Sequence, residues 1–133
     1  MNSIFTHRLE VRFRDCDPMG HANNAVYLTY LEQARLNHWR SLWGFGSRRD
    51  VPGVILARVE IDFRRPARYG DVLDIRIGLA AIGRTSFTYE YEIADEAGSL
   101  AATAKSVLVM YDYVTEKPVP IPEEIRALLT GKP

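Results

Sequence analysis

The chain has one cysteine, Cys16, among 133 residues, so no disulfide can form within it, and a reducing compartment fits. It has no excess charge of either sign: 17 basic residues cancel 17 acidic ones, and no global field steers it toward nucleic acid or an anionic bilayer. No run approaches the roughly 20 apolar residues that a membrane-spanning helix needs. The opening M-N-S-I-F-T-H-R lacks the basic-then-apolar pattern of a secretory signal, which makes a cytoplasmic location the expectation, with neither nucleic acid nor membrane as partner. Lysine is also scarce, present only at 105, 117 and 132, so arginine supplies nearly all the positive charge. Guanidinium forks suit carboxylate and phosphate oxygens, although an arginine bias is more simply a matter of composition. Internal repeats and low-complexity tracts are absent too.

What is present is ordinary for a globular chain: 47% hydrophobic and 26% charged residues, in a length that suits one domain over 1–133. Residues 5 to 14 alternate as a half-buried strand, Phe5, Leu9, Val11 and Phe13 against Arg8, Glu10, Arg12 and Arg14. Continuing the count puts Asp15 and Asp17 on the apolar side until Pro18-Met19-Gly20 breaks the strand. From Asn24 to about Trp43 the period is helical, with Asn23 or Asn24 as N-cap. Tyr27, Leu28, Leu31, Ala34, Trp39, Leu42 and Trp43 form a broad apolar face that also takes in Glu32, Arg35 and His38, with Glu32 and Arg35 expected to pair at i,i+3.

Four strand patterns follow. In the first, Ile55, Ala57, Val59, Ile61 and Phe63 share a face; the others centre on Leu73 to Leu79, Phe87 to Ile93 and Leu100 to Tyr113. Short links between them predict an antiparallel meander. A proline-spaced tail ends in a short helix near Glu123 to Leu129, expected to be peripheral. The prediction is an α+β domain with a core of about 5–113 and an extension over 114–133, in which a five-stranded sheet wraps around one long helix.

Chemistry-bearing groups concentrate in D-C-D-P-M-G-H-A-N-N, residues 15 to 24. A calcium loop is excluded because Met19 and Tyr27 stand where oxygen ligands are required. An aspartyl phosphatase needs alternating strands and helices, and only one long helix is available. Cys16, Asp17 and His21 offer three zinc ligands with nothing elsewhere to complete the set. A Cys16–His21 thiolate pair suffers from strand alternation, which puts Cys16 on the face opposite Asp17. Asp17 remains, an acid-base or nucleophilic group beside a helix start whose first N–H groups lack intrahelical partners and can polarise a substrate carbonyl.

The run D-C-D-P-M-G-H-A-N-N-A-V-Y-L-T-Y-L-E-Q-A-R resembles the signature of hotdog-fold acyl-CoA thioesterases of the 4-hydroxybenzoyl-CoA thioesterase-like group, and is similar to the corresponding part of acyl-acyl-carrier-protein thioesterases. P-A-R-Y-G-D-V-L-D-I resembles the family more loosely. The resemblance implies a hotdog fold, hydrolysis of an acyl-CoA substrate to a carboxylate and free CoA, and no metal or redox cofactor. It implies Asp17 as the carboxylate that attacks the thioester or activates water, and the Asn24 backbone N–H as the oxyanion donor. His21 is the second choice of base, Asn23 and Asn24 are candidates to orient water or acyl oxygen, and Glu32 to support the site. Arg64, Arg65, Arg84 and Ser86 are the CoA-binding candidates in a cleft shared between subunits of a homodimer or homotetramer. A hotdog hydratase or dehydratase using Asp17 and His21, and a non-catalytic acyl-thioester binding module, are the alternatives.

Overall fold

The computed structural model describes residues 1–131. Its elements run β1 (Ser3–Glu10), a 3-10 turn (Phe13–Asp15), α1 (Val26–Trp43), β2 (Gly53–Phe63), β3 (Val72–Ile82), β4 (Ser86–Asp95), β5 (Leu100–Asp112), β6 (Lys117–Pro118) and α2 (Glu123–Thr130). All pairings in the sheet are antiparallel, in the order β1-β3-β4-β5-β2, and the two-residue β6 adds to the end of β5. The expected meander therefore holds only for β3, β4 and β5. The first of the four predicted strands, β2, crosses to the far side of β5 and becomes an edge.

Period-two alternation sends Leu73, Ile75 and Ile77 of β3, Phe87, Tyr89, Tyr91 and Ile93 of β4, and Ala102, Ala104, Ser106, Leu108 and Met110 of β5 to one buried face. The helix α1 lies across that face. His38 stacks on Phe5 of β1, Trp39 packs on Phe87 and Tyr89, and Arg35 reaches the Tyr91 hydroxyl. Gly44 stops the helix in a left-handed conformation, φ 72°, with its N–H returned to the Arg40 carbonyl.

Several local expectations are corrected. The first strand ends at Glu10; the 3-10 turn that follows rotates Phe13 outward to 78% exposure, edge-to-face with Tyr69, and turns Asp15 inward. A bulge between Leu56 and Arg58 splits the β2 pattern. Leu56 sits opposite Leu108 and Val59 opposite Ser106, so these face the helix with Ile61 and Phe63, while Ile55, opposite Val109, points the other way. Leu28 and Glu32 are exposed although they lie on the apolar sector, and Glu32 forms no ion pair with Arg35 among the described residues.

The tail is not peripheral. Ile121, Ile125 and Leu129 are buried in the core, and ion pairs from Arg48 to Asp50 and Glu124 and an Arg126 bond to the Gly83 carbonyl fasten α2 to the loops around it.

Candidate active site

The reactive stretch folds as a small hairpin that feeds the helix. Asp17-Pro18-Met19-Gly20 is a tight turn in which the Gly20 N–H returns to the Asp17 carbonyl at 3.0 Å. Pro18 presets its own φ, Asp17 at the first position accepts the Met19 N–H on Oδ1 at 2.9 Å, and Gly20 takes φ 82°, a value that other residues adopt only with strain. The arms are joined by the Asp17 N–H donating to the His21 carbonyl at 2.9 Å and by pairing of Cys16 with Ala22, while His21 in turn pairs with Arg68 and Ala22 donates to the Ala67 carbonyl at 2.7 Å.

The chain then enters α1 through a second turn. The Asn23 N–H donates to the Asp15 carbonyl at 2.8 Å, the Ala25 N–H to Asn23 Oδ1 at 2.9 Å, and the Val26 N–H to the Asn23 carbonyl at 2.9 Å. The Asn23 side chain thus closes an Asx turn ahead of the helix, and the expected Asn23 or Asn24 N-cap is corrected: the cap position is Ala25, which offers no side-chain cap bond. From Ala22 to Val26 every backbone N–H has a partner except that of Asn24. This free donor lies just ahead of the helix, at the positive end of its dipole.

Asp17, Met19, His21, Ala22, Asn24, Tyr27 and the run Phe63 to Pro66 line one open cleft of about 420 Å³. Its wall is the edge-to-face pair of Tyr27 and Phe63, 5.2 Å between ring centres. Burial raises the pKa of the Tyr27 hydroxyl, which stays protonated at neutral pH. Of the residues expected in the site, the fold brings Asp17, His21, Asn24, Arg64 and Arg65 to this cleft. Asn23 closes the turn beside it, and Glu32 lies on the exposed side of α1 away from it.

Arg84 and Ser86 lie elsewhere. Ser86 pairs with Val109 near one end of β5, whereas Arg64 is bonded to the Ala101 carbonyl at the other. Seven to eight residues of strand, roughly 25 Å at about 3.3 Å each, separate the two ends within one copy.

Arg64 is held by Thr103 Oγ1, at 3.1 Å from Nη2, and neither it nor Arg65 nor Arg68 enters an ion pair among the described residues. Three guanidinium groups thus stand on one loop without an ion pair among the described residues, a local cluster of positive charge that a net charge of zero conceals, although the Asp71 carboxylate on that loop accepts the Arg68 backbone N–H at 2.9 Å. Arg68 and the Tyr27–Phe63 wall were not anticipated. The R-R-P-A-R spacing pointed to the first, whereas the second needs the β2 bulge to be known.

Cys16 is half-buried and directs its Sγ at the Arg12 carbonyl, 3.6 Å away, and no group of three His, Cys, Asp or Glu residues able to hold a metal forms among the described residues. The two carboxylates of the D-x-D pair have separate environments. Asp15 is buried at 3% exposure; burial alone would raise its pKa, but hydrogen bonds from the Arg12 side chain and backbone and from the Tyr30 hydroxyl outweigh it and hold the carboxyl below its ordinary value. Asp17 is half-buried and faces the cleft.

A sheet of this strand order curled around one long helix is the hotdog fold. The comparisons place the chain more narrowly: it belongs to the Thioesterase-like superfamily, whose model matches residues 11–129. It is 29% identical over 128 residues to a putative esterase of Aquifex aeolicus, covering 94% of this chain and 97% of that one. The long-chain acyl-CoA thioesterase FadM of Escherichia coli is 28% identical over 127 residues, 92% and 94% of the two chains. Among solved structures, a thioesterase of Thermus thermophilus complexed with coenzyme A and zinc is 34% identical, with a TM-score of 0.84 over 96% of this chain and 98% of that one.

Proposed function

We propose that this protein hydrolyses acyl-CoA thioesters to a carboxylic acid and free CoA, with Asp17 as the general base or nucleophile and the Asn24 backbone N–H as the oxyanion donor. The observation that carries the reading is the pairing, in one cleft, of a carboxylate with the single unpartnered N–H of the segment entering α1. A thioester carbonyl laid against Asn24 would place developing negative charge on a donor that has no competing bond. Such a donor is worth a factor of about 10² to 10³ in rate, and a well-placed base about 10² to 10⁴. The same geometry serves attack by Asp17 itself or by a water that Asp17 deprotonates. His21, on the same wall, is a second polar group within the cleft, and the Asn23 side chain, bonded to the Ala25 N–H, stiffens the turn that carries Asn24.

The arginines of residues 64 to 68 supply charge for the CoA phosphates at the mouth. The working unit in this reading is a homodimer, or a homotetramer made of two such dimers, built on β2. That strand is an unpaired edge of 11 residues with Ile55, Leu56 and Phe63 exposed, and Phe63 is also part of the cleft wall. Two-fold antiparallel pairing along β2 sets the Gly53 end of one copy beside the Phe63 end of the other. Arg84 and Ser86 enter the site only through such a second copy.

The test is release of free thiol from a panel of short, long and aromatic acyl-CoAs, read together with enoyl absorbance. Thiol appearing in proportion to enzyme supports hydrolysis. A change in enoyl absorbance without thiol, or substrate binding with neither, overturns it.

A further inference from the structure

Asp15 is used completely, yet none of it touches the cleft. Its Oδ2 accepts the Arg12 backbone N–H at 3.0 Å and the Tyr30 hydroxyl at 2.8 Å, its Oδ1 accepts Arg12 Nη2 at 2.9 Å, and its backbone carbonyl accepts the Asn23 N–H at 2.8 Å. One buried residue is therefore bonded to three separate segments: the chain leaving β1, the turn entering α1, and α1 itself at Tyr30, its fifth residue. Asp15 stands two residues before Asp17, and Asn23 one residue before Asn24.

We propose that the Arg12–Asp15–Tyr30 cluster is the positioning device that fixes the gap between the Asp17 carboxylate and the Asn24 N–H. The inference rests on the hydrolase reading for its meaning in catalysis. The two proposed catalytic groups belong to different turns; within the hairpin the Asp17–His21 bond and the Cys16–Ala22 pairing join its arms, and beyond the hairpin the ties to α1 are the Asn23–Asp15 bond and the carboxylate that anchors Asp15 to Tyr30. A carboxylate suits the role because every donor in the cluster is an N–H or O–H aimed at it. Asparagine would offer one acceptor oxygen and would turn an NH2 group toward other donors. Buried at 3% exposure, the charge tolerates no slack in its partners, since each lost bond leaves an unpaired buried oxygen. Displacement of reacting groups by about 1 Å costs on the order of 10²-fold in rate, so a device far from the substrate can still govern turnover. Arg12, Asp15 and Tyr30 are positioning residues here, acting only through Asp17 and Asn24.

The experiment uses the full-length protein and compares wild type, Tyr30→Phe, Asp17→Asn and the double variant, measuring thiol release from acyl-CoA and hydrogen exchange of the Asn23 amide. Tyr30→Phe removes one hydroxyl and keeps the ring that packs edge-on against Tyr27. The expected result is a kcat lowered about 10-fold or more with KM within threefold, Asn23 exchange accelerated at least 10-fold, and a double variant no slower than Asp17→Asn alone. A residue that served only stability would lower the folded fraction and would multiply with Asp17→Asn. Should Tyr30→Phe fail to fold, Arg12→Gln, at an exposed side chain, asks the same question of the same carboxylate. The proposal is overturned by a kcat within twofold of wild type, by unchanged Asn23 exchange, or by multiplicative losses in the double variant. If the wild type releases no thiol from any acyl-CoA, the hydrolase reading falls on its own account, and Asn23 exchange still decides whether the clamp exists.

Discussion

The Asp17 carboxylate accepts the Met19 N–H at 2.9 Å through Oδ1, and no other hydrogen bond to that carboxylate forms among the described residues. One oxygen is thus committed to the turn and the other is left for the cleft. Asp17→Asn preserves the first role, because the amide oxygen can still accept the Met19 N–H, and abolishes the second as a base or nucleophile. The expected outcome is a fall in kcat of about 10² or more with the melting temperature within a few degrees of wild type, read by thiol release and thermal unfolding. Retention of full activity would remove Asp17 from the mechanism.

The Asn24 amide is tested by proline, which has no N–H. Asn24→Pro should lower kcat about 10²- to 10³-fold, while Asn24→Ala, which keeps the backbone donor, should lose at least 10-fold less. The contrast separates the peptide group from the side chain, and equal losses would assign the role to the asparagine amide instead. Far-ultraviolet circular dichroism checks that α1 still begins, as a proline just ahead of a helix permits.

Much of this was legible in the residue pattern, for a physical reason. Alternation on β3, β4 and β5 is strict because those strands are covered on one face, so Leu73 to Ile77 and Phe87 to Ile93 read directly as core. The D-P-M-G turn is similarly local: Asp, Pro and Gly each carry their own conformational preference, so the turn at Asp17 reads directly, whereas Asn24 was reached through the family resemblance. What escaped depends on distant partners. Phe13 looks like a core residue until the 3-10 turn rotates it outward, and Ile55 until the bulge after Leu56 reverses the face. The Glu32–Arg35 pair has correct spacing, but Arg35 is buried toward Tyr91 while Glu32 remains in solvent, and spacing on a helix says nothing of depth. Asp15 was visible as an acid beside another acid. Only Tyr30, fifteen residues on, separates a structural carboxylate from the one that lines the cleft.

Edge strand β2 predicts association. Leu56 is 42% exposed and faces the same side as the buried Leu108. In an isolated chain a charge there costs little, because the site is already wet. Leu56→Glu should therefore leave the fold intact by circular dichroism while shifting sedimentation from a dimer or larger species toward the monomer, with thiol release falling in step. A wild-type protein that sediments as a monomer at tens of micromolar would place the second copy outside the mechanism.

His38 predicts how stability follows pH. It is buried at 2% exposure between Phe5 and Tyr89, and burial lowers its pKa from 6.5 to about 4. Trp39 Nε1 donates to the Tyr89 hydroxyl oxygen at 3.0 Å, so that hydroxyl is free to donate its own proton to His38 Nδ1, 2.9 Å away. This order of donors requires a neutral imidazole protonated on Nε2. Below pH 6.5 the unfolded chain takes up a proton that the folded chain refuses until about pH 4, so stability is full above 6.5 and declines as pH falls between these values. The loss is about 2 kcal/mol by pH 5 and about 3 kcal/mol in all, at 1.36 kcal/mol per pH unit. His7, whose pKa burial also lowers, contributes with the same sign. The depressed carboxyl of Asp15 acts lower, its contribution being lost only as pH falls below the ordinary value of 3.8. Urea midpoints at pH 7.5, 6 and 5 measure the slope, and His38→Gln, which retains an acceptor for Tyr89, should remove most of it. A wild-type midpoint that stays constant from pH 7.5 to 5 would mean that the imidazole takes up its proton inside the fold, with His38 Nδ1 donating to a Tyr89 hydroxyl oxygen that already accepts from Trp39.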